Sequence, residues 1–177
     1  MSAVPVGTTA VPPASLSLRS TGADDTRALG AALAGGLVVG DVVLLAGGLG
    51  AGKTTLVQGV ARGLGVAEVV TSPTFTLLRA YPCGAPGPVR VLLHADLYRL
   101  DQLSEVADLG IAELVEDAAV AVVEWGDVAG PALGHAALTV QLAEGEDEDA
   151  RRVTVTGAAG EPERVAALAP LLARWSP

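Results

Sequence analysis

Residues 41–55 read Asp41-VVLLA-Gly47-GLGAGKT-Thr55, and this stretch decides the fold. Five uninterrupted apolar residues bounded by Asp41 and Gly47 predict a short strand buried on both faces. The glycine-rich turn that follows satisfies G-x-x-x-x-G-K-[ST] from Gly47 to Thr54. Residues 54–64, TLVQGVARGL preceded by Thr54, then predict a helix that stops at Gly63 and Gly65. Strand, glycine turn and helix in that order make a cradle for phosphate. Glycines let the backbone approach an anion, and the helix start adds unpaired amides and the positive end of its dipole. Lys53 is the only lysine in the chain, so the one ammonium on a side chain stands where such a motif wants it.

In this reading Gly48, Leu49, Gly50, Ala51 and Gly52 offer backbone to the phosphates of a nucleoside triphosphate. Lys53 faces the β- and γ-phosphates, Thr54 is a magnesium ligand and Thr55 contacts the α-phosphate. Hydrolysis needs acids as well, and in parallel sheets they sit at the carboxyl ends of strands. Two apolar runs end in acids here: VLLHA-Asp96 and AVAVV-Glu124. Asp96 is assigned to the magnesium shell and Glu124 to the lytic water; the reverse division, with Glu124 on the metal, stays open. Trp125 is read either as a contact for nucleotide or partner or as core. His94 alternates toward core or site and is read as a satisfied core histidine. Thr71-Ser-Pro-Thr74 suits a loop that senses the γ-phosphate, and equally an ordinary turn.

Working outward, Asp25–Leu37 predicts a helix, and residues 74–81 and 89–95 a β-hairpin across the loop 82–88. Residues 101–118 read as one helix interrupted at Gly110, or two short ones, and 163–175 as a closing helix. Residues 138–142 and 152–156 alternate in and out, predicting an antiparallel edge hairpin whose acidic tip, 144–149, is solvated. The fold class is therefore α/β: a three-layer phosphate-binding-loop architecture with a central mixed, largely parallel sheet flanked by helices. Residues 1–15 read as a flexible Ala/Pro tail and 16–177 as a single domain.

Composition narrows the function. Half of the 177 residues are hydrophobic but only 3% aromatic, which leaves a core of Val, Leu and Ala. A net charge of −9 argues against autonomous binding to a nucleic-acid backbone. Cys83 is the only cysteine, which excludes an internal disulfide and a cysteine-based zinc site. The N-terminal stretch lacks a basic region before its apolar residues and is broken by Pro5, Pro12 and Pro13, unlike a signal peptide. A cytoplasmic protein without a membrane segment is expected.

Four blocks, GGLGAGKTTLVQGVARGLGV (47–66), TSPTFTLL (71–78), HADLYRL (94–100) and VEWGD (123–127), resemble the TsaE family, the small bacterial ATPases of tRNA threonylcarbamoyladenosine biosynthesis. The resemblance implies a compact sheet of mixed strand direction, ATP and magnesium binding, and slow ATP hydrolysis. It implies TsaD and TsaB as partners, which transfer a threonylcarbamoyl group to the adenosine beside the anticodon, with tRNA reached only through them. Carried onto this chain, Lys53 and Thr54 bind phosphate and magnesium, Asp96 serves magnesium, and Glu124 with Trp125 forms the catalytic pair. The loop at 82–88, the acidic hairpin and the N-terminal tail depart from the family pattern. Two other classes stay open: a small-molecule kinase, and a nucleotide-gated interaction switch without essential turnover. Against the kinase, Arg62, Arg79, Arg90 and Arg99 are scattered rather than clustered into a lid.

Overall fold

The apolar runs form the middle of one seven-stranded sheet. A computed structural model describes residues 15–100, 103–126, 133, 137–158 and 161–177. Its strands are β1 (Ser15–Ser20), β2 (Val42–Ala46), β3 (Leu78–Pro82), β4 (Val91–Asp96), β5 (Ala119–Glu124), β6 (Leu138–Glu144) and β7 (Arg151–Gly157), in the order β1-β7-β6-β2-β5-β4-β3. The four central strands, β6, β2, β5 and β4, run parallel, and β2 and β5 are buried along their whole length. Burial on both faces is why these segments are continuous Val, Leu and Ala rather than alternating. Antiparallel strands finish both sides: β3 beside β4, and β7 then β1 beside β6.

Helices α1 (Ala23–Ala34), α2 (Lys53–Gly63) and α5 (Pro162–Leu172) share one apolar core with one face of the sheet. The short helices α3 (Leu103–Asp108) and α4 (Ile111–Leu114) contribute Val106 and Ile111 to the core on the other face. Alternation divides each central strand between the two: Val43 and Leu45 belong to the first core, Val42 and Leu44 to the second. Helices α1 and α2 touch backbone to backbone. A Cβ on Gly59 would stand 2.1 Å from the Arg27 carbonyl oxygen, and one on Gly30 would stand 2.3 Å from that of Leu56. This contact fixes where α2 starts, and so where its N-terminus faces.

Several expectations are corrected. Ser15 opens β1 instead of closing a tail, and residues 1–14 lie outside the described residues. The hairpin of β6 and β7 forms as expected but is not at the edge, because β1 pairs along β7 from Ser15↔Thr156 to Ser20↔Arg151. The edge hairpin is β3–β4 instead. Residues 74–77 do not extend β3: the amides of Thr76 and Leu77 turn back onto the Pro73 carbonyl, and Leu77 takes φ +63°. The region after Asp101 is two short helices, separated by Gly110 at φ +63°. The acidic tip is solvated, with Glu146 and Asp147 exposed and both within ion-pair distance of Arg19. No helix among the described residues is long and apolar enough to cross a membrane.

Candidate functional site

Where β2 ends, the chain turns through Gly47–Gly52 into α2. Gly50 and Gly52 take φ +75° and +100°, backbone that side chains rarely adopt. Gly52 caps α2 without any side-chain hydrogen bond, so the first amides of the helix keep their donors for something else. Lys53 begins the helix, and its buried ammonium donates to the carbonyls of Gly47 (2.7 Å) and Gly48 (2.8 Å). The same ammonium lies 3.9 Å from the centre of the Trp125 ring. From β7, the Arg151 guanidinium donates to the Ala51 carbonyl at 3.2 Å and braces the outside of the loop.

Parallel pairing brings the two strand-end acids together. Asp96 and Glu124 are register partners on β4 and β5. Along β4, Leu92, His94 and Asp96 share one face; along β5, Val120, Val122 and Glu124 share the same one, the face that α2 covers. The Thr54 hydroxyl, one residue into α2, donates to Glu124 at 2.8 Å to Oε1 and 3.0 Å to Oε2. Asp96 accepts from the hydroxyls of Ser72 (2.6 Å) and Thr74 (2.8 Å) and from the Tyr98 amide (3.0 Å). Burial pushes the Asp96 carboxyl up, but the hydrogen bonds from the Ser72 hydroxyl, the Tyr98 amide and the Thr74 hydroxyl outweigh it. The result lies below the ordinary aspartate value.

Trp125 follows Glu124 with φ +61°, a left-handed backbone that costs a bulky residue about 1–3 kcal/mol. It is half-buried: its ring packs against the second core and against Tyr98 (centroids 5.0 Å apart), and it also lines the cleft. Trp125 therefore packs as core and also borders the cleft.

Leu49, Gly50, Ala51, Gly52, Lys53, Thr54, Thr55, Ser72, Thr74, Asp96, Tyr98, Glu124 and Trp125 line one cleft of about 420 Å³. Gly48 is not among the lining residues; its carbonyl accepts from the Lys53 ammonium. Apart from Gly48, every residue assigned from the sequence to phosphate, metal or lytic water lines this cleft, as does Trp125, from segments as far apart as Leu49 and Trp125. Two neighbours were not assigned to the site: Tyr98, and His94, which was read as core and whose Nε2 lies 2.9 Å from Glu124 Oε1. Alternation places His94 on the face of Asp96, but only the register with β5 shows what it meets. Chemically, the cleft offers helix-start amides and an ammonium to an anion, with a hydroxyl and two carboxylates beside them for a hard cation.

A family model described as threonylcarbamoyl adenosine biosynthesis protein TsaE matches residues 20–153, which contain all four sequence blocks. The tRNA threonylcarbamoyladenosine biosynthesis protein TsaE of Streptomyces coelicolor is 45% identical over 135 residues, 74% of this chain and 89% of that protein. The Bacillus subtilis protein of that name is 37% identical over 141 residues, 80% of this chain and 85% of its own length. The crystal structure of YdiB from Bacillus subtilis matches with a TM-score of 0.72 at 32% identity, covering 93% of this chain and 97% of that one. A P-loop architecture, a cleft at the loop and these matches across most of the chain agree: this protein belongs to the TsaE family.

Proposed function

We propose that this chain binds ATP with magnesium in the cleft and hydrolyses it slowly, as the nucleotide-dependent subunit of tRNA threonylcarbamoyladenosine biosynthesis, working with TsaD and TsaB. The observation that carries the reading is the single rung Asp96–Glu124, facing the loop and joined to it by the Thr54 hydroxyl. In this reading Lys53 leaves the Gly47 and Gly48 carbonyls for the β- and γ-phosphates, and the amides of residues 49–55 surround the rest of the chain of phosphates. Thr54 and Asp96 hold the metal, with Glu124 beside them. Magnesium, which keeps several waters and needs only one or two carboxylates, neutralises charge on the phosphates when bound. Glu124 orients the attacking water and accepts its proton, while Ser72 and Thr74 keep Asp96 ionised and in place.

The donor set suits this ligand. The loop has helix-start amides without a side-chain cap, and the hydroxyl and carboxylates adjoin it on one face of the sheet. The names of the relatives supply tRNA threonylcarbamoyladenosine biosynthesis as the pathway, and the resemblance of the four sequence blocks supplies TsaD and TsaB as the partners. A subunit of charge −9 meets tRNA through partners, so the isolated chain should show negligible tRNA affinity at physiological salt. The deciding experiment titrates ATP and magnesium into the purified chain and follows phosphate release without any acceptor. It then repeats the release with TsaD and TsaB present. Saturable ATP binding with slow release of phosphate to water supports the proposal. No binding, or release only when a small-molecule acceptor is added, defeats it.

A further inference from the structure

We propose that His94 is a positioning residue for Glu124, holding the carboxylate from inside the protein with an Nε2 proton while the cleft side stays open to ligand. The assignment rests on the reading of Glu124 as the group that orients the attacking water. His94 is fully buried on β4, two residues before Asp96 and on the same face. Its Nε2 lies 2.9 Å from Glu124 Oε1, and its Nδ1 is buried without a hydrogen-bond partner.

Hydrogen-bond accounting selects the tautomer. Glu124 already accepts the Thr54 hydroxyl across both oxygens, and an ionised carboxylate has no proton to give. Nε2 must therefore donate. Were the proton on Nδ1, an N–H would be buried unpaired, and the Nε2 lone pair would face the lone pairs of Oε1. A bare Nδ1 lone pair is the smaller penalty. Glu124 thus has two partners, one on the ligand side and one on the core side. When a ligand draws the Thr54 hydroxyl away, the His94 bond is the one that remains to fix the carboxylate. A single strand, β4, then serves both acids: His94 aims Glu124, and Asp96 stands beside it.

The test uses the full chain. His135→Gln leaves His94 as the only histidine, so its two ring nitrogens can be read by long-range nitrogen–proton NMR in the nucleotide-free protein. The proton should be on Nε2, and Glu124→Gln should shift that nitrogen. In parallel, His94→Leu should lower the turnover number for ATP hydrolysis about 10- to 100-fold, with the affinity for ATP changed far less, because it misplaces a group without removing it. His94→Gln, which returns an N–H donor at similar reach, should recover most of the loss. In a Glu124→Gln background, His94→Leu should have no further effect.

A proton on Nδ1, an Nε2 signal indifferent to Glu124→Gln, or equal loss of turnover and affinity in both His94 variants would overturn the assignment. Normal loss in Glu124→Gln with undiminished turnover in His94→Leu overturns it alone. Undiminished turnover in Glu124→Gln overturns the reading of Glu124 and the assignment with it. If His94→Leu does not fold, the ring tautomer and its response to Glu124→Gln decide.

Discussion

Asp96 and Glu124, far apart in sequence, are paired on one rung of the sheet, and each is engaged by a different segment of the chain. Glu124 is held by Thr54 of the phosphate-loop helix, and Asp96 by Ser72 and Thr74 of the segment that follows that helix. The two carboxylates therefore answer to different parts of the chain. Their loss should separate accordingly.

Glu124→Gln keeps the shape of the side chain and removes the proton acceptor. Hydrolysis should fall about 10²- to 10⁴-fold, the range for loss of a positioned general base. ATP affinity should change less than about threefold, since the interaction lost belongs to the transition state rather than to binding. Phosphate release measured beside calorimetric titration distinguishes the outcomes. A large drop in affinity with the turnover number intact would assign Glu124 to binding.

Lys53→Ala should weaken ATP binding about 10- to 100-fold, the loss of one or more charge-assisted hydrogen bonds. The buried ammonium is now satisfied by the Gly47 and Gly48 carbonyls and by the Trp125 ring. The variant therefore also removes the tie that holds the loop in its ligand-free shape. Trp125 fluorescence should change in Lys53→Ala before any nucleotide is added, and a calorimetric titration gives the affinity. Unchanged affinity would refute the role.

The cradle was readable because its information is local: six residues between Gly47 and Gly52, then Lys53 and Thr54, fix both backbone and chemistry. The strand-end acids were readable for a related reason, since each closes an apolar run. What escaped depends on pairing between distant segments. Ser15–Ser20 has only Leu16 and Leu18 to mark it, and becomes a strand because β7 offers an edge more than a hundred residues later. Thr74–Leu77 carries β-branched and aromatic residues, yet Asp96 draws the Thr74 hydroxyl and the chain turns before β3 begins. His94 looks like core by composition; only the β4–β5 register sets it against Glu124.

Helix packing sets the position of the loop, and Gly59 tests it. Any side chain there drives a Cβ into the Arg27 backbone. Gly59→Val should therefore destabilise the fold by about 1–3 kcal/mol or more, as overpacking against a rigid neighbour does. At Gly22 nothing lies within 4 Å and the backbone is extended. Gly22→Ser should be neutral or mildly stabilising, because it adds a hydroxyl at a helix cap. Urea denaturation of both variants gives the comparison, and equal stabilities would mean that α1 and α2 can part without cost.

The C-terminal turn, Ala173–Trp175, is tied to the start of α1 by Asp25, which predicts a pH signature away from the cleft. Asp25 accepts from the Thr21 amide (2.9 Å), the Trp175 indole (2.9 Å), the Thr21 hydroxyl (3.2 Å) and Arg174 (3.3 Å). Burial pushes its carboxyl up, but these four donors outweigh burial and hold it below the ordinary aspartate value. A depressed carboxylate binds its proton less tightly in the folded chain than in the unfolded one. Its contribution is therefore fully present above the unfolded value, about pH 4, and is lost as pH falls through the folded value. At pH 7, Asp25→Asn should cost about 1–3 kcal/mol, because a charged acceptor is replaced by a neutral one among donors that keep their places. The gap between wild type and variant, measured by urea denaturation at a series of pH values, should narrow below about pH 4. A gap that stays constant down to the acid limit of the folded protein would show that Asp25 acts through shape alone.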